Sequence, residues 1–486
     1  MRLRRSFMLP FPIARESAVL GLLLLVAVGA ALAPTLDVGF VYDDRGDVLD
    51  NPAASPEGFV AALGRTNRPL LKGSYALQRA ATGAAARPFH AVNLALHLAC
   101  TLLAFGLARR LARSAGVERT AWVGAFAAAV WALHPAAVEA VAPVTGRSVL
   151  LSTLLLLAAL LLVTAERPPG LAVAGIAATL ALAAPLARET ALVLPALAFA
   201  WQATLGAGEG RSTALRRQLP LLAGALVAAG ALALSARHRE LVAFSLAARP
   251  PLEALRGNVA AVFDIARLWL EPGRLSVDPA PAAELAWGAP ATLLRLALLA
   301  AVAAFAVLAR RRRPLAAFAC GWALLALAPA NSIVWRLDPV SARPLYLATL
   351  VPVAALAVGV ARAVALAARR WPARDAAAAG PALAAAACLV GLLTTATLAR
   401  RSHERAHLYT DPTALWSDAA AKAPDRSRPW QNLGIELMLA ERLDPAARAL
   451  ERALELDPSA SSARCALTAL RIRQRTNRLF DRRTPE

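Results

Sequence analysis

The sequence predicts an all-α protein: a polytopic membrane helix bundle of about eleven transmembrane helices, followed by a short C-terminal α-solenoid. Three observations carry this expectation. The chain of 486 residues is 58% hydrophobic and only 17% charged, too little charge to cover the surface of a soluble protein of that length. The apolar residues gather in long blocks, among them Ala18–Leu32, Leu150–Val163, Leu171–Leu186 and Leu294–Leu308, each close to the roughly 20 residues that cross a bilayer core. From about Arg400 the chain changes character and becomes charged, helical in period and punctuated by proline.

A cleaved signal peptide would account for the first block and for none of the others. The net charge of +21 does not point to nucleic acid: nearly all of it is arginine, with lysine only at Lys72 and Lys422. The arginines cluster beside the hydrophobic blocks, where the positive-inside rule places them. Cys100, Cys320, Cys388 and Cys465 are far apart, and no metal spacing or disulfide framework is visible among them.

Arg2, Arg4 and Arg5 precede the first block and predict a cytoplasmic N-terminus. The first span then delivers a polar segment, 35–88, to the outside, and a span over 89–108 returns to a basic loop holding Arg109, Arg110, Arg113 and Arg119. Spans follow near 120–137, 148–164, 169–187, 189–204 and 219–235, then a second outer segment over 236–288. The next span ends at the basic run Arg310–Arg313, and spans near 314–330, 344–366 and 377–399 complete the bundle. Basic clusters at 109–119, 310–313 and 369–374 all fall on the cytoplasmic side of this arrangement. The odd number of crossings puts residues 400–486 outside. Treating the spans around Arg188–Glu189 as one broken helix would invert everything after them.

In that tail, Trp430, Leu433, Gly434, Leu437, Ala446, Leu450, Ala453 and Pro458 sit at the spacings of a tetratricopeptide repeat. Trp416, Ala419 and Pro424 match Leu450, Ala453 and Pro458 at an offset of 34 residues. Small residues let paired helices approach, the leucines and aromatics fill the seam, and proline ends the second helix. Residues 461–479 read as a solvating cap helix.

The candidate chemistry lies at the outer face. Asp43 and Asp44 follow the first span by a few residues, where a carboxylate can act as general base on an acceptor hydroxyl. A solvated acidic loop with an Asx turn at Asp50-Asn51-Pro52 fits the same residues. The run matches no calcium loop and has no His or Cys beside it, so a divalent ion stays open without being indicated, and no metal ligand or resident cofactor is assigned. His90, Asn93 and His97 share one helical face. They serve either interhelical hydrogen bonding or a wet pocket. His134 and Glu139 are too far apart for the zinc-protease spacing; helix termination at Pro135 explains them as simply as a pocket does. Arg68, Arg147, Arg188 and Arg343 are placed outside by the topology. Each can snorkel to headgroups or hold a phosphate through a bidentate fork.

These pieces, in this order, resemble the TMTC-type transmembrane and tetratricopeptide-repeat O-mannosyltransferase family of GT-C membrane glycosyltransferases. The matching stretches are Tyr42-Asp-Asp44 with Asn51-Pro52, Arg68-Pro-Leu70, Phe89-His-Ala-Val-Asn-Leu-Ala-Leu-His97, and His134-Pro-Ala-Ala-Val-Glu-Ala-Val141 with Gly146-Arg147. Further on come Arg188-Glu189, Leu268-Trp-Leu-Glu-Pro272 with Asp278, Pro329-Ala-Asn-Ser332 and Arg343-Pro-Leu-Tyr-Leu347. The resemblance implies transfer of a sugar, a hexose such as mannose, from a polyprenyl-phosphate donor to a hydroxyl acceptor, protein Ser or Thr, on the non-cytoplasmic side. It implies an inverting enzyme in which Asp43 or Asp44 is the base and Arg68, Arg147 and Arg343 hold the donor phosphate. His134, Glu139, His90 and Asn93 would then shape the pocket or orient the acceptor. The sequence departs from the family in its short repeat array and in Ser341-Ala-Arg-Pro, where an acidic residue is expected before the arginine. The alanine- and arginine-rich composition points to a bacterial inner membrane and to undecaprenyl phosphate as carrier. The expected partners are the lipid-linked donor and an acceptor protein engaged by the repeats, with no nucleic acid. Two other readings are open: a membrane scaffold that uses its repeats to assemble envelope proteins without catalysis, and a polymerase or ligase of lipid-linked glycans.

Overall fold

A computed structural model describes residues 15–206, 208–281, 284–370 and 376–481. Arg2, Arg4 and Arg5, and part of the basic cluster at 369–374, lie outside the described residues. The described residues are helical, with no strand among them.

Seven described helical segments are long and apolar enough to cross a membrane: Arg15–Asp37, Ala86–Ser114, Val144–Val163, Arg211–Leu234, Pro290–Leu308, Leu345–Ala368 and Pro381–Leu408. An eighth arises if Thr120–Ala132 and Pro135–Val141, bent by 58° at the break between them, form one span. Two apolar helices are shorter, Leu171–Ala187 and Pro314–Leu327. The expected span over 189–204 resolves into a 3₁₀ segment, Glu189–Val193, and the 11-residue helix Leu194–Thr204. At about 1.5 Å per residue such a helix covers roughly half of a 30 Å hydrocarbon core. The difference from the expected count therefore comes from helices broken or shortened around polar residues at their ends.

The placement of apolar side chains makes the chain a multi-pass membrane protein. Helix Pro290–Leu308 buries only Thr292, while Leu293, Leu294, Leu298, Val302, Phe305, Val307 and Leu308 are exposed on its surface. In water that surface would cost about 25 cal/mol per Å²; against lipid it costs nothing. The bundle interior is dense by contrast. Helix Val144–Val163 is the most buried of the spans, and it packs between Ala86–Ser114 and Leu171–Ala187.

Four helices follow the last span: Pro412–Lys422, Ser427–Leu439, Leu443–Leu456 and Ser461–Asp481. Their shared core holds Trp416, Ala419, Leu433, Leu437, Ala446, Leu450 and Ala453. A Cβ at Gly434 would lie 2.6 Å from the Leu450 side chain, so this pair of helices meets at a distance only glycine permits. The four helices sit on the polar end of the bundle. Arg426 and Arg428 pair with Asp278, Arg428 also with Asp338, and Lys422 donates to the Leu275 carbonyl over 2.7 Å.

Candidate functional site

The polar end of the bundle is organised by a turn at Val41–Asp44. Asp44 is fully buried, and its carboxylate accepts backbone N–H bonds from Val41 (3.2 Å), Val144 (3.0 Å) and Thr145 (2.8 Å). One carboxylate thus ties the first loop to the turn that opens span Val144–Val163. Burial raises the Asp44 pKa, and the three backbone donors oppose that rise. Gly146 completes the second turn, because a Cβ there would fall 2.2 Å from the Ala140 carbonyl oxygen.

Behind this turn stands a buried polar cluster whose groups are bonded to one another and to backbone carbonyls, His90 Nδ1 excepted. Asn93 donates to the carbonyls of Val141 (3.3 Å), Pro143 (2.9 Å) and Val144 (3.4 Å), and its own amide oxygen accepts from Arg147 at 3.0 Å. Arg147 also donates to the Phe89 carbonyl at 3.1 Å, and its guanidinium lies 4.9 Å from the Tyr75 ring centroid and 5.3 Å from that of Phe89. His90 bonds the Gly39 carbonyl at 3.2 Å, and His97 the Tyr346 hydroxyl at 2.7 Å. These groups fix helices to one another. Four expected site residues, Asp44, Arg147, His90 and Asn93, point into this cluster and away from open space, since a buried polar group must find its partners inside the protein.

Asp43 faces the other way. It is exposed on the rim of a cleft of about 980 Å³, its solvent-open mouth included. Arg68, Glu139, Thr145, Arg188, Arg336, Arg343 and Tyr409 are among the other residues lining that cleft. The Asp43 side chain accepts no hydrogen bond from the described residues. Its residue surface is open, but the cleft walls take part of the water from its carboxyl and lift its pKa above the ordinary 3.8; Arg343 draws it down, and Asp47 and Asp338 add to the rise. Glu139, expected at the pocket, lines the cleft too, with its carboxylate accepting from the Tyr409 hydroxyl at 2.8 Å and from Arg405 at 3.4 Å. His134 lies outside the cleft. It caps the helix bend by accepting the Ala136 N–H at 3.2 Å, contacts the Trp269 carbonyl at 3.1 Å and stacks on the Trp269 ring at 4.9 Å.

Five arginines line the cleft, and they are not equivalent. Arg428 is spent on Asp278 and Asp338. Arg68 is committed: it forms a bidentate pair with Glu189 at 2.9 and 2.7 Å. Arg188, Arg336 and Arg343 have no carboxylate within ion-pair distance among the described residues. Arg188 donates to Ser148 at 3.1 Å and Arg343 to Thr145 at 3.3 Å. One terminal nitrogen of Arg336 is buried without any hydrogen-bond partner. Burial first, then the positive charge of Arg68, lowers the Arg188 pKa; burial is also the main cause at Arg336. Three cations gathered in one cleft, none of them held in a carboxylate ion pair among the described residues, can receive an anion.

Arg188 and Arg343 also line a second, smaller space of about 410 Å³, open solvent included, beside Val149, Ser152, Thr153, Leu156 and Thr190. The two spaces share Arg188 and Arg343, and the second mixes aliphatic side chains with the hydroxyls of Ser152, Thr153 and Thr190. Among the described residues, no group of three His, Cys, Asp or Glu side chains gathers to hold a metal ion.

Part of this chain is similar to a known transferase. Over 177 residues, 32% of this chain, the sequence is 36% identical to protein O-mannosyl-transferase Tmtc1 of Drosophila melanogaster. The chain spans about a fifth of that curated relative's length (20%). No protein-family model matches the chain, and no solved structure matches it.

Sequence reasoning missed Arg336, which sits in the 331–338 loop with no matching motif, and passed over Arg188 as one of several outer arginines. The signal available was relative. Arg68 has Glu189 to pair with, so the cations to look for were those left over once each carboxylate was spent.

Proposed function

We propose that the chain is an inverting glycosyltransferase that moves a sugar, a hexose such as mannose, from a polyprenyl-phosphate donor to a hydroxyl of a protein Ser or Thr. The single observation that carries this reading is the cleft that Asp43, with no side-chain hydrogen bond among the described residues, shares with three guanidiniums outside any carboxylate ion pair there. Similarity to an O-mannosyl-transferase over a third of the chain supports the same reaction class.

In this reading the donor phosphate rests among Arg188, Arg336 and Arg343, at the end of the cleft where Arg188 and Arg343 meet the membrane helices. Asp43 takes the proton of the acceptor hydroxyl as that oxygen attacks the anomeric carbon. The carbon–oxygen bond to phosphate breaks on the opposite face, and the phosphate departs with the bonding pair. Its growing charge is met by the arginines, so no general acid is required. Glu139 and Tyr409 border the acceptor side. Asp44, Asn93 and Arg147 serve by holding the two turns that frame Asp43.

The finer architecture belongs to the same proposal: a GT-C-like membrane domain over 1–399 and a tetratricopeptide module over 400–486 on the extracytoplasmic face of a bacterial inner membrane, with undecaprenyl phosphate as carrier. The test compares the glycoproteome of a deletion strain complemented with wild type or Asp43→Asn, with membrane levels checked for each. Loss of the same glycopeptides in the variant and the deletion, at normal protein level, is the expected result. Full restoration by Asp43→Asn would end the proposal.

A further inference from the structure

The C-terminal helices contribute residues to the cleft itself. Tyr409, just beyond the last span, and Arg428, in helix Ser427–Leu439, both line it. Arg428 bonds Asp278 and Asp338, while Arg426 bonds Asp278 at 2.8 Å and the Pro279 carbonyl at 2.9 Å. Asp278 is buried and Arg426 and Arg428 are partly exposed, so these pairs tie the helices to the rim at a defined place.

The same helices touch the turn that carries Asp43. Tyr42 has φ of 52°, a left-handed backbone conformation that an aromatic residue seldom adopts and that persists only when its surroundings over-determine it. The local surroundings account for part of this: Asp44 anchors the far side of the turn through its three backbone bonds. On the near side the Tyr42 ring meets the Trp416 ring edge-on, with centroids 5.5 Å apart and planes at 62°. Trp416 is 3% exposed and belongs to the core of the C-terminal helices. Asp43 therefore sits between a residue fixed by the bundle and a residue fixed by the C-terminal helices.

We propose that Trp416 is a positioning residue for the reaction, holding Asp43 in line with the acceptor by clamping the strained Tyr42. The C-terminal helices then have a part in turnover as well as any part in gathering acceptors. This rests on the assignment of Asp43 as the base, and the readouts below separate the two.

The experiment uses the full chain in detergent with polyprenyl-phosphate mannose and a Ser/Thr-rich peptide as probes, together with hydrogen–deuterium exchange of the 40–50 segment. Tyr42→Phe keeps the ring and is expected to match wild type in both readouts. Tyr42→Asn tolerates the left-handed backbone but removes the ring, and leaves the core around Trp416 intact. It is expected to speed exchange at 40–50 and to lower kcat by roughly 10- to 100-fold, with the donor KM changed less than about twofold. Trp416→Ala should reproduce both effects. Unchanged exchange in Tyr42→Asn and Trp416→Ala would overturn the clamp, and so would faster exchange with wild-type kcat. Asp43→Asn is run beside them: if it still turns over, the base assignment fails, and the positioning role falls with it even where the exchange data show that Trp416 holds the turn.

Discussion

On one side of the Val41–Asp44 turn, a carboxylate is held by three backbone N–H groups and shut away from solvent. On the other, its neighbour faces an open cleft and takes no hydrogen bond from the described residues. The same contrast runs through the arginines. Arg147 is enclosed by Asn93, Phe89 and Tyr75, while Arg336 keeps a buried nitrogen without a partner. In a membrane bundle every polar group is costly, and what a group can do depends on whether its bonding capacity is already spent. The spent groups build the frame. The unspent ones are free to meet a ligand.

The contrast can be broken most visibly at the arginines. Arg343→Ala is expected to lower transfer by roughly 10²- to 10³-fold, as loss of a preorganised charge stabiliser does, with the melting temperature of the detergent-solubilised protein nearly unchanged. Arg147→Ala should do the opposite, costing about 3 kcal/mol of stability from two orphaned acceptors and lost contact with two aromatic rings. Thermal unfolding followed beside a transfer assay separates the two. A stable but inactive Arg147→Ala would place that residue in the chemistry instead of the frame. Asp44→Ala is expected to cost about 3–5 kcal/mol, because it leaves three backbone donors without their charged acceptor, and to appear as low membrane levels.

A smaller effect sharpens the account from the side of pH. Asp43 must be ionised to accept a proton, and burial holds its pKa above 3.8. Activity should therefore fall as pH drops through that raised value. Asp47 is among the charges that raise it, so Asp47→Asn should move the acidic limb of kcat/KM to lower pH. A limb that moves upward, or not at all, would detach Asp43 from the rate.

Much of this architecture was legible in the chain. Uninterrupted apolar blocks marked the membrane helices because nothing else accounts for so many of them, and the positions around Trp430 and Leu450 announced paired helices with a glycine at their crossing. The count of crossings was less legible. A break such as the 58° bend beside His134, or the 3₁₀ segment at Glu189–Val193, arises from local capping and turn geometry that a hydropathy window averages away. The site was legible in its residue types and not in their orientation. Asp43 and Asp44 are indistinguishable as letters, and only the return of the chain at Val144–Thr145, a hundred residues later, decides which of them is enclosed. Arg336 lacked any motif and was found by its missing partner.

The most direct measurement sets Asp43→Asn beside Asp44→Asn in the purified protein, following mannose transfer from polyprenyl-phosphate mannose and thermal unfolding in the same preparations. The account predicts that Asp43→Asn melts like wild type and loses transfer by roughly 10²- to 10⁴-fold, while Asp44→Asn melts early and retains turnover in whatever fraction stays folded. A stable, inactive Asp44→Asn together with an active Asp43→Asn would contradict it and move the base to the enclosed carboxylate.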